Sequence, residues 1–157
     1  TESTGPVYMR LGKAGEPDLT SEAVDPFSIG KIRYLQRGSE IALISYGTLV
    51  GMAKEVATKL NAIGKSASVL SCHTIKPIDY EGVREVLESH DVVIVLEEHV
   101  PHGGLGSRVK EIAWDIKAKC RLETLSLKDE FIHCYGTHDE LLDAHGLSPN
   151  KIMDKIT

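Results

Sequence analysis

Apolar positions along the chain fall into two alternating patterns, short apolar runs and longer stretches at helical spacing. Residues 92–96, VVIVL, form an unbroken run rich in β-branched side chains, which predicts a strand covered on both faces. Residues 41–46, IALISY, and 66–72, SASVLSC, read as further strands, and residues 120–126 alternate and predict another. Between them lie helices. Residues 49–63 place Val56, Leu60 and Ile63 at helical spacing, with Thr48 at the N-cap and Gly64 past the end. Residues 80–89 turn Val83, Val86 and Leu87 inward behind the break at Pro77 and a cap at Asp79. Residues 105–118 present Val109, Ile112, Ala113 and Ile116 as a stripe. Two short helices, 136–144 and 149–156, follow around Gly146, the first with a Thr137/Glu140 capping box.

Residues 32–36 alternate apolar and polar side chains. They are expected to pair with 41–46 as a hairpin through Arg37-Gly38-Ser39, leaving the first strand as an antiparallel edge. Strand and helix alternate at this pitch in a three-layer α/β domain. The sheet is mostly parallel and five-stranded, with one antiparallel edge strand and helices on both faces. Residues 5–11, opened by Gly-Pro, look like a short strand, and 12–28 like a linker. Residues 1–27 are therefore expected to be the tail of a preceding domain plus its linker, and 28–157 the α/β domain. The chain starts without Met and almost on a strand, as if cut from a longer one.

Composition narrows the function classes. The 157 residues are 41% apolar, enough for one domain with a full core. Net charge is −5 and the Lys and Arg residues are scattered, so a nucleic-acid partner is not expected. No apolar run nears the roughly 20 residues of a membrane span. The three widely spaced cysteines, Cys72, Cys120 and Cys134, suit reduced thiols in a cytoplasmic protein.

Candidate chemistry concentrates just after residues 92–96. Glu97 and Glu98 end that strand. His99 and His102 lie in the following loop, and Gly103, Gly104 and Gly106 precede a helical pattern opened by Ser107. In an open α/β sheet this is the edge where ligands bind. Glycines there let backbone approach a neighbour closely. The loop reads either as an anion site at a helix N-terminus or as a tight turn at a subunit contact. Neighbouring residues on a strand face apart, so Glu97 and Glu98 cannot share one site, and one is expected to anchor the loop through backbone N–H groups. The same rule separates Cys72 from His73. His99 and His102 lack further ligands at a metal-binding spacing. No catalytic, cofactor-binding or metal-ligating residue is assigned.

Four pieces stand in a telling order: GPVYMRLGK, SYGTLVGMAKEVATKL, TIKPID and VLEEHVPHGGLGSRV. Together they resemble the C-terminal domain of the transketolase family of thiamine-diphosphate enzymes. That family includes deoxyxylulose-phosphate synthase and the beta subunits of 2-oxoacid dehydrogenases. The resemblance runs from Gly5 to about Ile156. GGLG after paired glutamates favours transketolase proper, or a stand-alone C-terminal subunit, over the dehydrogenases. It implies transfer of a two-carbon ketol unit between sugar phosphates by the complete enzyme. Thiamine diphosphate and magnesium would be held by pyrophosphate- and pyrimidine-binding domains as partners, in a homodimer. The first 15 residues would be the last strand of the pyrimidine domain. Arg10 and Lys13 would contact substrate phosphate, although Lys13 stands where relatives often keep Arg. The Gly-Asp-Gly…Asn cofactor motif is absent, so the chain is expected to be inert alone.

Other function classes stay open at this point. The edge from His99 to Ser107 could serve a regulatory module that binds a small anion or nucleotide. A purely structural assembly domain is the plainest alternative.

Overall fold

The computed structural model describes residues 4–12, 17–19, 21 and 23–156. Five strands and five helices alternate, except that the first two strands and the last two helices are consecutive. The strands are β1 (Arg33–Gln36), β2 (Ile41–Ser45), β3 (Ala67–Ser71), β4 (Val92–Leu96) and β5 (Arg121–Leu125). The helices are α1 (Leu49–Ala62), α2 (Tyr80–Ser89), α3 (Leu105–Asp115), α4 (His138–Ala144) and α5 (Pro149–Ile156). The strands form one sheet in the order β1-β3-β2-β4-β5, parallel throughout except for the β1–β3 pair. This is the three-layer, mostly parallel α/β architecture that the periodicity predicts.

Burial explains the order. β2 and β3 are buried at every position, and β4 at all but its first. Such strands need neighbours on both edges and helices on both faces. Leu43, Val69, Ile94 and Leu96 face α1, α4 and α5, while Ile44, Leu70, Val93 and Val95 face α2 and α3. Each fully buried Leu, Ile or Val side chain contributes roughly 1.5–3 kcal/mol relative to exposure.

The hairpin expectation is corrected. β1 is the antiparallel edge strand, but it pairs with β3, not β2. The 37–39 segment is a crossing, not a tight hairpin turn. Gly38 donates its N–H to Ser68 Oγ at 2.8 Å and accepts from that hydroxyl at 3.1 Å. The chain thereby passes over the start of β3 and delivers the wholly apolar β2 to the centre of the sheet. The alternating β1 is left at the edge, where one face is wetter.

Residues 5–11 form no strand. A strand needs a partner to hydrogen-bond, and Val7, Tyr8, Met9 and Leu11 are exposed instead. Helix ends show smaller departures. Thr48 has α-helical backbone angles and its side chain caps nothing. Ile63 follows α1 and is exposed, leaving Ala53, Val56, Ala57 and Leu60 as the buried face. α3 ends at Asp115, three residues early, because Lys117 takes a left-handed φ of 53°.

Asp79 does cap α2, and it does more. Its carboxylate accepts from Lys31 Nζ and the Ile32 amide, both at 3.0 Å, and from the Gly82 amide at 3.4 Å. Burial opposes its ionisation, but Lys31 and the two amides outweigh that and hold Asp79 below the usual carboxylate range. The capping box at α4 is formed in both directions between Thr137 and Glu140.

Candidate functional site

The chain leaves β2 toward α1 on one face of the sheet, and leaves β4 toward α3 on the other. These two strands are neighbours, so a crevice opens between their carboxyl ends, which is where open α/β sheets take ligands. Its floor is tied by Ser45, whose buried Oγ donates to the Leu96 carbonyl at 3.0 Å. Tyr46, Gly47 and Thr48 leave one strand there, and Glu97, Glu98 and His99 leave the other.

Glu97 and Glu98 point apart, as alternation along a strand requires. Glu97 is 1% exposed. Its Oε1 accepts the Gly106 N–H at 3.0 Å, and its Oε2 makes no hydrogen bond. Burial pushes its carboxyl above the usual range. The Gly106 and Leu105 amides at the head of α3, then His99 and Lys110, offset only part of that shift. The glycines make room for it. A Cβ on Gly106 would lie 2.7 Å from Glu97 Oε1, and one on Gly104 would overlap Oε2 and lie 2.9 Å from Cδ. The head of α3 thus carries the protein's own carboxyl.

The rest of the glycine loop is internally tied. Ser107 Oγ donates to the Pro101 carbonyl at 2.9 Å and accepts the Gly103 N–H at 3.0 Å. Gly103 has φ +78°, a conformation that favours glycine. His99 Nδ1 lies 2.8 Å from the Val100 carbonyl, and His102 is exposed. Among the described residues no group of three or more His, Cys, Asp or Glu side chains could hold a metal ion. Cys72 is buried, its thiol pushed up to about 12 by desolvation, while His73 stacks on Phe27 with ring centroids 4.5 Å apart.

Glu98 is the meeting point that sequence reasoning missed. Arg10 Nη1 donates to its backbone carbonyl at 3.2 Å, and Arg10 Nη2 lies 3.8 Å from its carboxylate. On the other side His138, the first residue of α4, places Nε2 3.1 Å from Glu98 Oε2. That contact is an ion pair whenever the imidazole is protonated. Arg10 and Glu98 stand 88 residues apart, so no local spacing could announce them. Tyr46 lies within the same field. Burial raises its phenol pKa, Glu97 and Glu98 add to the shift, and Arg10 opposes it. Two clefts flank Thr48. One of about 300 Å³ includes Glu55, His138, Asp139 and Ser148 in its lining, and one of about 320 Å³ includes Asp18, Gly47 and Ser71. Arg10 sits on Glu98 just past the carboxyl end of β4, whereas Lys13 lies outside the described residues.

A doubly wound domain whose chain direction switches between β2 and β4, with a glycine loop over a buried glutamate beside the switch, is the class that the geometry defines. The family description "Transketolase, C-terminal domain" matches residues 30–152, and the chain belongs to that family. A split-gene transketolase, described as an inactive β4 tetramer, superposes with a TM-score of 0.87 at 31% identity, over 99% of this chain and 50% of that one. The 1-deoxy-D-xylulose-5-phosphate synthase of Pseudoalteromonas translucida (strain TAC 125) is 35% identical over 153 residues, 96% of this chain and 24% of that protein. The synthase of Pasteurella multocida (strain Pm70) is 38% identical over 141 residues, 89% of this chain and 22% of that protein. The chain thus spans about a quarter of the length of the curated relatives it matches. Among the described residues no helix is long and apolar enough to cross a membrane.

Proposed function

We propose that this chain is the C-terminal part of a cytoplasmic thiamine-diphosphate enzyme that transfers a two-carbon ketol unit between sugar phosphates. The observation that supports it best is the likeness to a split-gene transketolase, at 31% identity over 99% of this chain. A second reading, a 1-deoxy-D-xylulose-5-phosphate synthase part, is favoured by the names of the curated relatives. Both readings give the domain the same task.

The cofactor belongs elsewhere in the enzyme. The described residues offer no metal-ligand group to receive its magnesium, and no step of the reaction is assigned to this chain's side chains. When bound, the cofactor supplies the nucleophilic carbon and the electron sink. This chain supplies the contacts of a homodimer, closes one end of the cleft and offers Arg10 to substrate phosphate. A guanidinium suits that task, because its planar fork matches a phosphate's oxygens. The loop from His99 to Ser107 serves better as a structural turn than as a nucleotide site. Glu97 already fills the place at the head of α3 that a ligand anion would take.

Kinetics of the assembled enzyme test the reading. Losing a charged hydrogen bond to phosphate removes about 1.4 kcal/mol or more. Arg10→Ala is expected to raise KM for the sugar phosphate about tenfold with kcat nearly unchanged, the mark of binding shared by ground and transition states. An unchanged KM removes Arg10 from substrate binding.

A further inference from the structure

The helix heads of this domain are served unequally. Asp79 caps α2, the Glu97 carboxyl stands at the head of α3, and Thr137 caps α4. The head of α1, at 14 residues the longest helix, differs: no acidic residue lies in its first turn, and the Thr48 side chain caps nothing. Gly47 takes a left-handed φ of 59° and Thr48 follows in the α-helical region, an order that turns successive N–H groups toward one side. The Val50 and Gly51 N–H groups donate back to the Gly47 and Thr48 carbonyls at 3.2 and 3.0 Å. The Thr48 and Leu49 N–H groups have no acceptor among the described residues. An independent observation comes from the neighbouring strand. Ser71 ends β3 and is only 7% exposed. It faces α1, as Val69 two residues earlier does. Its hydroxyl has no hydrogen-bond partner among the described residues, and Ser71 lines the same cleft of about 320 Å³ as Gly47, Thr48 and Gly51. A buried hydroxyl in that position calls for an acceptor.

We propose that this cleft binds one oxyanion, either inorganic phosphate or the phosphate of a monoester. The positive end of the α1 dipole, equal to about half an elementary charge, meets it there. The Thr48 and Leu49 N–H groups and the hydroxyls of Thr48 and Ser71 supply donors from two elements, α1 and β3, and a tetrahedral anion has acceptor oxygens for all of them. Asp18 also lines the cleft, so a second anionic group is repelled and a hydroxyl-bearing remainder is favoured. The head of α3 offers no comparable place, because Glu97 occupies it. The site stands whichever reading of the complete enzyme holds.

The test titrates sodium phosphate into the purified chain, with ionic strength held constant by chloride, and follows the backbone amides by NMR. Saturable shifts of the Thr48 and Leu49 amides are expected, half complete at roughly 1 mM. Ser71→Ala is expected to raise that concentration about tenfold, the effect of losing one hydrogen bond to a charged group. Thr48→Asp places a carboxylate at the helix head. It is expected to abolish the shifts without lowering the melting temperature, since an acid suits that position. This second variant decides the matter where Ser71→Ala folds poorly. Glycerol 3-phosphate is the second ligand. Tighter binding than phosphate assigns the cleft to a monoester, equal or weaker binding assigns it to the free anion, and either result supports the site. Parent shifts that do not saturate, or shifts that persist unchanged in either folded variant, overturn it.

Discussion

Gly104→Ala is expected to destabilise the domain by about 2–4 kcal/mol, a lowering of the melting temperature by roughly 5–15 °C at this chain length. Backbone strain is not the reason, since Gly104 has φ −87°. The reason is space. The new methyl would overlap Glu97 Oε2 and come within 3.1 Å of His99 Nδ1. Glu97 has little room to retreat, because the Gly106 N–H holds its other oxygen at 3.0 Å and the side chain is sealed from solvent. Moving it would orphan the Gly106 N–H at the head of α3. Gly103→Ala, one residue away, is the comparison. No atom lies within 4 Å of its would-be Cβ, so only the left-handed backbone opposes it, at about 1 kcal/mol. The mechanism also predicts non-additivity. In a Glu97→Ala background the clash is gone, so Gly104→Ala should cost little further. Equal penalties in the two backgrounds, read by thermal melting, would place the strain somewhere other than Glu97.

The second large effect is a pH dependence carried by Glu97 itself. Desolvation, the dominant influence, raises its folded-state pKa above the unfolded value of about 4.3. The folded state therefore prefers the neutral acid. Its stabilising contribution is complete below that unfolded value and is lost as pH rises through the higher folded value. Glu97→Gln keeps an oxygen for the Gly106 N–H without the charge. Measured as parent minus variant, stability should fall as pH is raised above the unfolded value and level off once pH has passed the higher folded one. The difference cancels Asp79, Glu140 and Asp143, whose hydrogen-bonded carboxylates titrate low and pull the opposite way in both proteins. A flat difference, or one that rises with pH, would mean that the buried carboxyl is better solvated than its surroundings show.

The architecture was legible because buried parallel strands have no polar face to hide. The runs 41–46, 66–72 and 92–96 declared themselves, and the helical stripes between them did the same. That Glu97 and Glu98 face apart followed from alternation, since a strand cannot send adjacent carboxylates to one side, but which of them is buried under the loop came only from the structure. The pairing of β1 was not legible. Nearness in sequence favours a hairpin, whereas β3 lies between β1 and β2 and the Gly38–Ser68 contact marks where the chain crosses it. Nor could spacing reveal the cluster at Glu98, which joins the N-terminal segment, the end of β4 and the start of α4 through two long-range contacts. Residues 5–11 mislead for a related reason. Their apolar side chains behind Gly-Pro look like a strand, yet a strand exists only where another lends it hydrogen bonds.

On the proposed function, this domain shapes and closes a reactive centre held by other domains. Calorimetric titration of thiamine diphosphate with magnesium into the purified chain tests this most directly. No saturable heat is expected. A one-to-one isotherm with micromolar affinity would contradict it.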